Sequence, residues 1–550
     1  MWPPWSRFWR RTRQATLPAK SSTSAAATCY DGPSFRGVRL VSVGEAAAAI
    51  PDGATIAVDG FTLMGVAEAI YEAIEARFRS TGHPRDLVIV HAAGQSNRKI
   101  GFEHFAVEGL AKRIVGSHWG LMPRMSAFLG QGLAEAVCLP QGQISSLYRA
   151  IAAGRPGNLS RIGLGTFVDP RIEAGKVNQP ARDHAPDYVA IERIDGQDFM
   201  FYRSFKIDVG IFRASSVDQD GNCSLDDEAV TLDALAIAQA ARNSRGTVIC
   251  QAKKLVPRGA IPPKQVTVPG ALVDLVVQAP DPERQHRQTD RTFFDPVYIS
   301  ASSDSELPTA PFSSRLVIGR RAIRFLSRGD VVNIGTGIPG DTVGPALAEA
   351  GLSEAITLTV ESGVYGGVPA GGVDFGITAH PTAIISHASQ FDFYNGGGLD
   401  ATFMGAGQVD RDGNVNVSRL GGRVVGAGGF IDITQSARLV CFCFTMESRN
   451  EKFVDRVDHL TFSAEQARKN EQQVLFVTER AVFNLEPSGL RLLEIAPGVD
   501  VADLLGRIPF PVAVPEPPAL MPDDIFEATI RPFHLPDRPT GKIQELSKGR

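Results

Sequence analysis

Metal-binding and redox motifs are the first thing this chain lacks. Its six cysteines (Cys29, Cys138, Cys223, Cys250, Cys441 and Cys443) are spread over 550 residues and form no Cys-x-x-Cys pair. Cys441 and Cys443 are expected on opposite faces of a strand, and the six read as free thiols in a reducing compartment. The ten histidines fall in no His-Glu-x-x-His or similar ligand spacing, so a metal site has no support. Long apolar runs are also missing, since none approaches the roughly 18 to 20 residues of a bilayer span. Nor is there an excess of positive charge: 56 basic against 60 acidic side chains leave a net charge of −4. That balance argues against a nucleic-acid or anionic-membrane partner. With 43% hydrophobic and 21% charged residues, the expectation is a soluble cytoplasmic protein.

Acidic residues are absent before Asp31, where Arg7, Arg10, Arg11 and Arg13 stand among serines and alanines. A transit peptide, and with it the mitochondrial matrix, is one reading. Pro3, Pro4 and the neighbouring tryptophans make a poor presequence helix, which favours an unstructured extension over residues 1–37 or a start set too far upstream. Residues 537–550 read as a C-terminal tail.

A chain of 550 residues exceeds one ordinary core, so two domains are expected. From Val41 onward, short β-branched runs such as Thr55-Ile56-Ala57-Val58, Leu87-Val88-Ile89-Val90 and Val331-Val332-Asn333-Ile334 alternate with Ala-rich helical stretches. This is the pattern of α/β layers around a mainly parallel sheet. Prolines crowd residues 280–312 (Pro280, Pro282, Pro296, Pro308, Pro311), as in a linker. The expected division is 38–300, a linker at 301–312, and 313–536.

The two parts carry matching signatures. Ile207-Asp208-Val209 leads into Val217-Asp218-Gln219-Asp220-Gly221-Asn222, and Leu399-Asp400-Ala401 leads at the same spacing into Val409-Asp410-Arg411-Asp412-Gly413-Asn414. Each predicts a strand, a tight turn and another strand. The glycine and closing glutamate of a calcium loop are not where an EF-hand needs them. A weaker parallel joins Gly53-Ala54-Thr55-Ile56 to Gly329-Asp330-Val331-Val332. Duplicated α/β domains facing one another would create a cleft.

Three stretches could carry chemistry. The strand Ile356-Thr357-Leu358-Thr359-Val360 runs into Glu361 and then Ser362-Gly363-Val364-Tyr365-Gly366-Gly367. Ligands of open α/β sheets bind beyond such carboxyl ends, and a carboxylate there can act as base, metal ligand, nucleophile or plain helix cap. Gly335-Thr336-Gly337-Ile338-Pro339-Gly340 follows the Val331–Ile334 strand. It satisfies the dinucleotide fingerprint with Glu354 or Glu361 as the acidic partner, but the same loop suits any pyrophosphate. Gly426-Ala427-Gly428-Gly429 follows Arg423-Val424-Val425 and reads as an oxyanion-binding turn or a simple bulge.

Taken together, Glu361 through Gly372, Phe391-Asp-Phe-Tyr-Asn-Gly-Gly-Gly-Leu-Asp and Gln408 through Val417 resemble the family I coenzyme A transferases. The likeness is to their fused single-chain acetate/propionate branch. His91-Ala-Ala-Gly-Gln, Leu139-Pro-Gln-Gly, Gly163-Leu-Gly-Thr-Phe-Val-Asp-Pro-Arg and the stretch from Leu232 to Ala241 agree, and the resemblance runs over residues 38–535. It implies two related open-sheet α/β domains with the active site in the cleft between them. It also implies a ping-pong exchange through a glutamyl-CoA thioester, with coenzyme A as substrate and no permanently bound cofactor. By this resemblance Glu361 is the nucleophile, Gly429 the oxyanion-hole amide and Gln95 an amide from the other domain. Gly335, Thr336, Gly337, Ile338, Pro339 and Gly340 form a CoA-contacting turn, with Gly405 and Gly428 as further contacts. Acyl-CoA and short-chain carboxylic acids are the implied partners, in a homo-oligomer serving propionate or ketone-body metabolism. Two departures bear on the acyl pocket: Ala67 stands where relatives carry proline, and Cys443-Phe444-Thr445-Met446-Glu447-Ser448 lacks the expected small residues. The alternatives are an acyl-CoA hydrolase on the same fold, a Rossmann oxidoreductase and an inactive ligand-binding relative.

Overall fold

Two large sheets are built in succession along the chain. The computed structural model describes residues 37–302, 306–446, 451–515 and 517–538. Nearly all of the N-terminal extension, most of the tail, Cys29, Glu447 and Ser448 lie outside the described residues. In the first half, five parallel strands lie in the spatial order Leu87–His91, Thr55–Val58, Val209–Asp218, Thr247–Val256, Leu275–Gln278. Ala111–Gly116 and Glu135–Cys138 extend one edge, and Arg39–Leu40 the other. In the second half the order is Thr357–Val360, Val331–Ile334, Ala401–Met404, Leu439–Cys443, Gln473–Val477, again all parallel. Numbered along the chain, both halves therefore read 2-1-3-4-5. The order reverses between the first and third strands, which is where such sheets open a crevice for ligands.

The duplication extends to individual bonds. Asp208 Oδ2 accepts the Thr55 N–H at 3.0 Å, and Asp400 Oδ2 accepts that of Val331 at 2.9 Å. Asp218 Oδ1 accepts from Asp220 N and Asn222 N, and Asp410 Oδ1 from Asp412 N and Asn414 N. These carboxylates close the turns. The copies differ after the third strand, because Ala401–Met404 stops before Gly405 and its hairpin, Gln408–Val409 with Val415–Asn416, stands apart.

Residues alternate between faces along the strands, so the second sheet has a core on each side. Cys441, Cys443, Leu475 and Val477 enter one core, while Val440, Phe442, Val474 and Phe476 enter the other. This corrects the expectation for Cys441 and Cys443. A spacing of two puts them on the same face, and their sulfurs lie 3.8 Å apart. The five described cysteines are free and buried. Ahead of the expected linker the proline-rich stretch bonds to the second half: Asp290 N–H donates to Asp374 Oδ1, and His380 N–H to Val297 O. Among the described residues no helix is long and apolar enough to cross a membrane.

Candidate active site

Strand Thr357–Val360 delivers Glu361 to the edge of the second sheet, where the chain turns sharply. Gly363 has φ +108°, and a Cβ there would meet Ile385 O at 2.2 Å, so the turn requires glycine. Ser362 Oγ donates to Gly376 O and fixes the turn from the other side. Glu361 is 8% exposed, and its Oε2 has no hydrogen-bond partner. Burial pushes its carboxyl above the ordinary range, opposed by its own backbone N–H and the Asn333 side chain. A buried carboxylate with one oxygen left without a donor is poorly solvated.

The third glycine cluster closes over it. Gly429 opens helix Phe430–Ser436, and a Cβ on Gly429 would lie 3.5 Å from Glu361 Cγ and 3.4 Å from Phe391 Cζ. The preceding turn is clamped to the first half: Gly428 N–H donates to Ser117 O at 2.8 Å, and Trp119 N–H to Val425 O at 2.6 Å. Gly426 has φ +83° and lies so close that a Cβ would fall 2.4 Å from Ser117 O. Glu361 and Gly429 are thus brought together where the two halves meet.

Gly335–Gly340 sits at the same sheet edge. Val331–Ile334 pairs with Thr357–Val360 so that Asn333 faces Thr359, and continuing that register puts Gly335 level with Glu361. A Cβ on Gly335 would strike Met404 Sδ at 2.7 Å, and the Cβ position of Gly405 is 3.9 Å from Thr336 O. Thr336, Gly337 and Gly340 are exposed, Ile338 is half-buried and Pro339 is buried. Helix Ile338–Glu349 begins within this loop.

Gln95 is placed differently. Its Nε2 donates to Val58 O at 3.1 Å and its Oε1 accepts from Tyr71 Oη at 3.0 Å, which anchors the amide within the first half. The amide that crosses to the glycine turn is Gln141, at the start of helix Gln141–Ala152. Its backbone N–H donates to Gly428 O at 3.1 Å, and its Oε1 lies 3.7 Å from the Cβ position of Gly428. Its Nε2 meets His387 Nε2 at 2.8 Å, and His387 Nδ1 meets Asp233 Oδ2 at 2.7 Å. The neighbouring Gly142 N–H and Gln143 Nε2 donate to Asp432 at 3.0 and 2.9 Å. Burial lifts the Asp432 carboxyl to about 6 despite these donors. The reading of the sequence missed Gln141, His387, Asp233 and Asn333. Only Gln141 carried a local signal, a polar side chain between Pro140 and Gly142 at a helix start.

Phe61, Met64 and Ala93 of the first half form one apolar cluster with Val360, Val364 and Ile377 of the second, so apolar side chains flank Glu361 on the strand side. Arg213 supports this wall: it pairs with Glu228 at 2.6 Å, both side chains 2% exposed, and donates to Leu63 O and Val66 O. Ala67 is buried at the foot of the same loop, immediately before helix Glu68–Thr81.

Comparison with known proteins bears on this geometry. The family model "Coenzyme A transferase" matches residues 40–279. The chain is 39% identical over 502 residues to a caffeate CoA-transferase of Acetobacterium woodii, covering 86% of this chain and 95% of that protein. It is 37% identical over 528 residues to the acetate CoA-transferase YdiF of Escherichia coli K12, covering 91% and 97%. The crystal structure of the acyl-CoA transferase YdiF apoenzyme from E. coli O157:H7 superposes with a TM-score of 0.85 at 35% identity, over 92% of this chain and 100% of that one. A thioester complex of the same enzyme with CoA superposes at 0.84 and 34% identity, over 91% and 98%. With relatives of this identity and coverage, this chain belongs to the coenzyme A transferase family and is a CoA-transferase.

Proposed function

We propose that the protein moves coenzyme A between a short-chain acyl-CoA and a carboxylic acid by a ping-pong exchange through Glu361. The observation that carries this reading is the buried, under-bonded Glu361 carboxylate beside the Gly429 turn. A Glu361 oxygen attacks the thioester carbonyl; the C–S bond breaks, leaving an acyl-glutamyl anhydride and a CoA thiolate. The thiolate then attacks the glutamyl carbonyl, forming glutamyl-CoA thioester and releasing the first acid. A second carboxylate reverses both steps. No proton need be removed, because the attacking group is already a carboxylate, and the Gly429 N–H is the donor for the tetrahedral oxyanion. Gln141 supports this turn from the first half through its backbone N–H. The Gly335–Gly340 loop with Gly405 and Gly428 is the CoA-facing rim. CoA is a substrate, and the chain needs no resident cofactor or metal.

The apolar cluster around Val360 and Val364 suits an acyl group without charge at its far end. Acetate and caffeate, the acids in the two relatives' names, both supply such a group. Hydrolysis by water at the glutamyl thioester is the second reading, and the burial of Glu361 favours transfer over it. The fingerprint-like Gly335–Gly340 loop is assigned to CoA, not to a nicotinamide. The localisation proposed is cytoplasmic, and the assembly a homo-oligomer. The test is to incubate the protein with acetyl-CoA, reduce with borohydride and map the peptides. Reduction at Glu361 is expected, and acyl exchange with Glu361 unmodified would refute the reading.

A further inference from the structure

Three side chains form a buried polar chain across the seam between the halves. Asp233 and Gln141 come from the first half, and His387 stands between them from the second. Asp233, His387 and Gln141 are 3%, 1% and 2% exposed. With its Nδ1–H donated to Asp233 Oδ2 at 2.7 Å, the imidazole turns Nε2 towards the Gln141 amide at 2.8 Å. Asp233 is itself held, its Oδ1 by Ser145 Oγ and its N–H by Asp59 Oδ1. Adhesion of the halves does not require this chain, because Asp432 already ties Gly142 and Gln143 to helix Phe430–Ser436. A buried polar network whose members are all partnered holds its side chains in one geometry.

The chain ends on the Gly428–Gly429 peptide. Gln141 N–H holds Gly428 O at 3.1 Å. In a trans peptide the C=O and the following N–H point in opposite directions, so fixing Gly428 O sets where Gly429 N–H points. We infer that Asp233 and His387 are positioning residues: by locking Gln141 they aim the Gly429 amide at the carbonyl oxygen of the acyl group bound for Glu361. This inference rests on the Glu361 reading proposed above.

The test compares the wild type with His387→Leu and His387→Gln for kcat, KM for acetyl-CoA and the rate at which borohydride-reducible thioester appears at Glu361. Leucine fills the space without hydrogen bonds, whereas glutamine can donate to Asp233 and accept from Gln141. His387→Leu is expected to lower kcat and the thioester rate together by about 30- to 100-fold with KM within about threefold, the size of effect a misaimed oxyanion donor produces. His387→Gln should recover most of that loss. If the leucine variant does not fold, Asp233→Asn takes its place, with an expected fall in kcat of about tenfold at unchanged Tm. A folded His387→Leu or Asp233→Asn protein with wild-type kcat overturns the inference, as does a glutamine variant no better than leucine. A wild type that transfers acyl groups without any thioester at Glu361 overturns the Glu361 reading as well, which separates the two failures.

Discussion

Glu361 and Gly429 lie so close that a methyl group on Gly429 would stand 3.5 Å from Glu361 Cγ. That methyl would also meet Ile433 Cδ1 at 3.2 Å and Phe391 Cζ at 3.4 Å, while Gly429 has an ordinary helical φ of −78°. Gly429→Ala should therefore fold, with Tm within a few degrees of wild type, and lose about tenfold in kcat as the methyl crowds the acyl group whose oxygen the amide must reach. Gly426→Ala makes the contrast. At φ +83° with Ser117 O only 2.4 Å from the new Cβ, it should destabilise the protein by more than about 2 kcal/mol. Thermal unfolding and steady-state kinetics on the pair would separate the two effects.

Glu361→Gln should abolish transfer, since an amide cannot form the anhydride. Glu361→Asp keeps the charge but withdraws it by about 1.5 Å, and a misplacement of that size is expected to cost roughly 100-fold or more in kcat. Acyl exchange between acetyl-CoA and labelled acetate measures both.

The raised Glu361 carboxyl gives activity and stability opposite pH dependences. Attack requires the ionised form, so kcat/KM should fall on the acid side with a midpoint above the ordinary value of 4.5. For stability the sign reverses. A folded-state value above the unfolded one means that the folded protein binds the proton more tightly. The stability this contributes is fully present below the unfolded value and is lost as pH rises through the folded one. Glu361→Gln should therefore unfold at a higher temperature than wild type at pH 7, and the gap should close on acidification. An equal or lower Tm at pH 7 would contradict this account.

Arg213 and Glu228 are buried together and support the Leu63–Val66 carbonyls. Against the burial that would raise it, Arg213 and then His286 hold the Glu228 carboxyl down at about 2. Arg213→Met leaves that carboxylate with His286 alone, 2.8 Å from its Oε1, and should cost about 3 kcal/mol in denaturant unfolding. In the folded fraction KM for the acyl substrate should rise more than kcat falls, because the loop carrying Phe61 and Met64 loses its anchor.

Much of this molecule was legible in one dimension, for a physical reason. The α/β class follows from alternating runs such as Thr55–Val58 and Val331–Ile334, whose pattern is fixed by local burial. The duplication could be read because Asp208 and Asp400, like Asp218 and Asp410, close local hydrogen bonds that only those residue types at those spacings can make. Glu361 stood out because strand, carboxylate and glycines are contiguous. The error over Cys441 and Cys443 was also local, a misapplied strand period. What the chain by itself could not decide is anything assembled across the seam. Gln141 lies 246 residues before His387, and its bond to Gly428 joins the two sheets at a point that no local pattern marks. Gln95, the amide to which the resemblance points, bonds Val58 and Tyr71 within the first half. Sequence determines which side chains stand at the strand ends; which of them share a site depends on how the two sheets dock. Only the tertiary structure sets that docking, because the contacts that define it are long-range and leave no period in the chain.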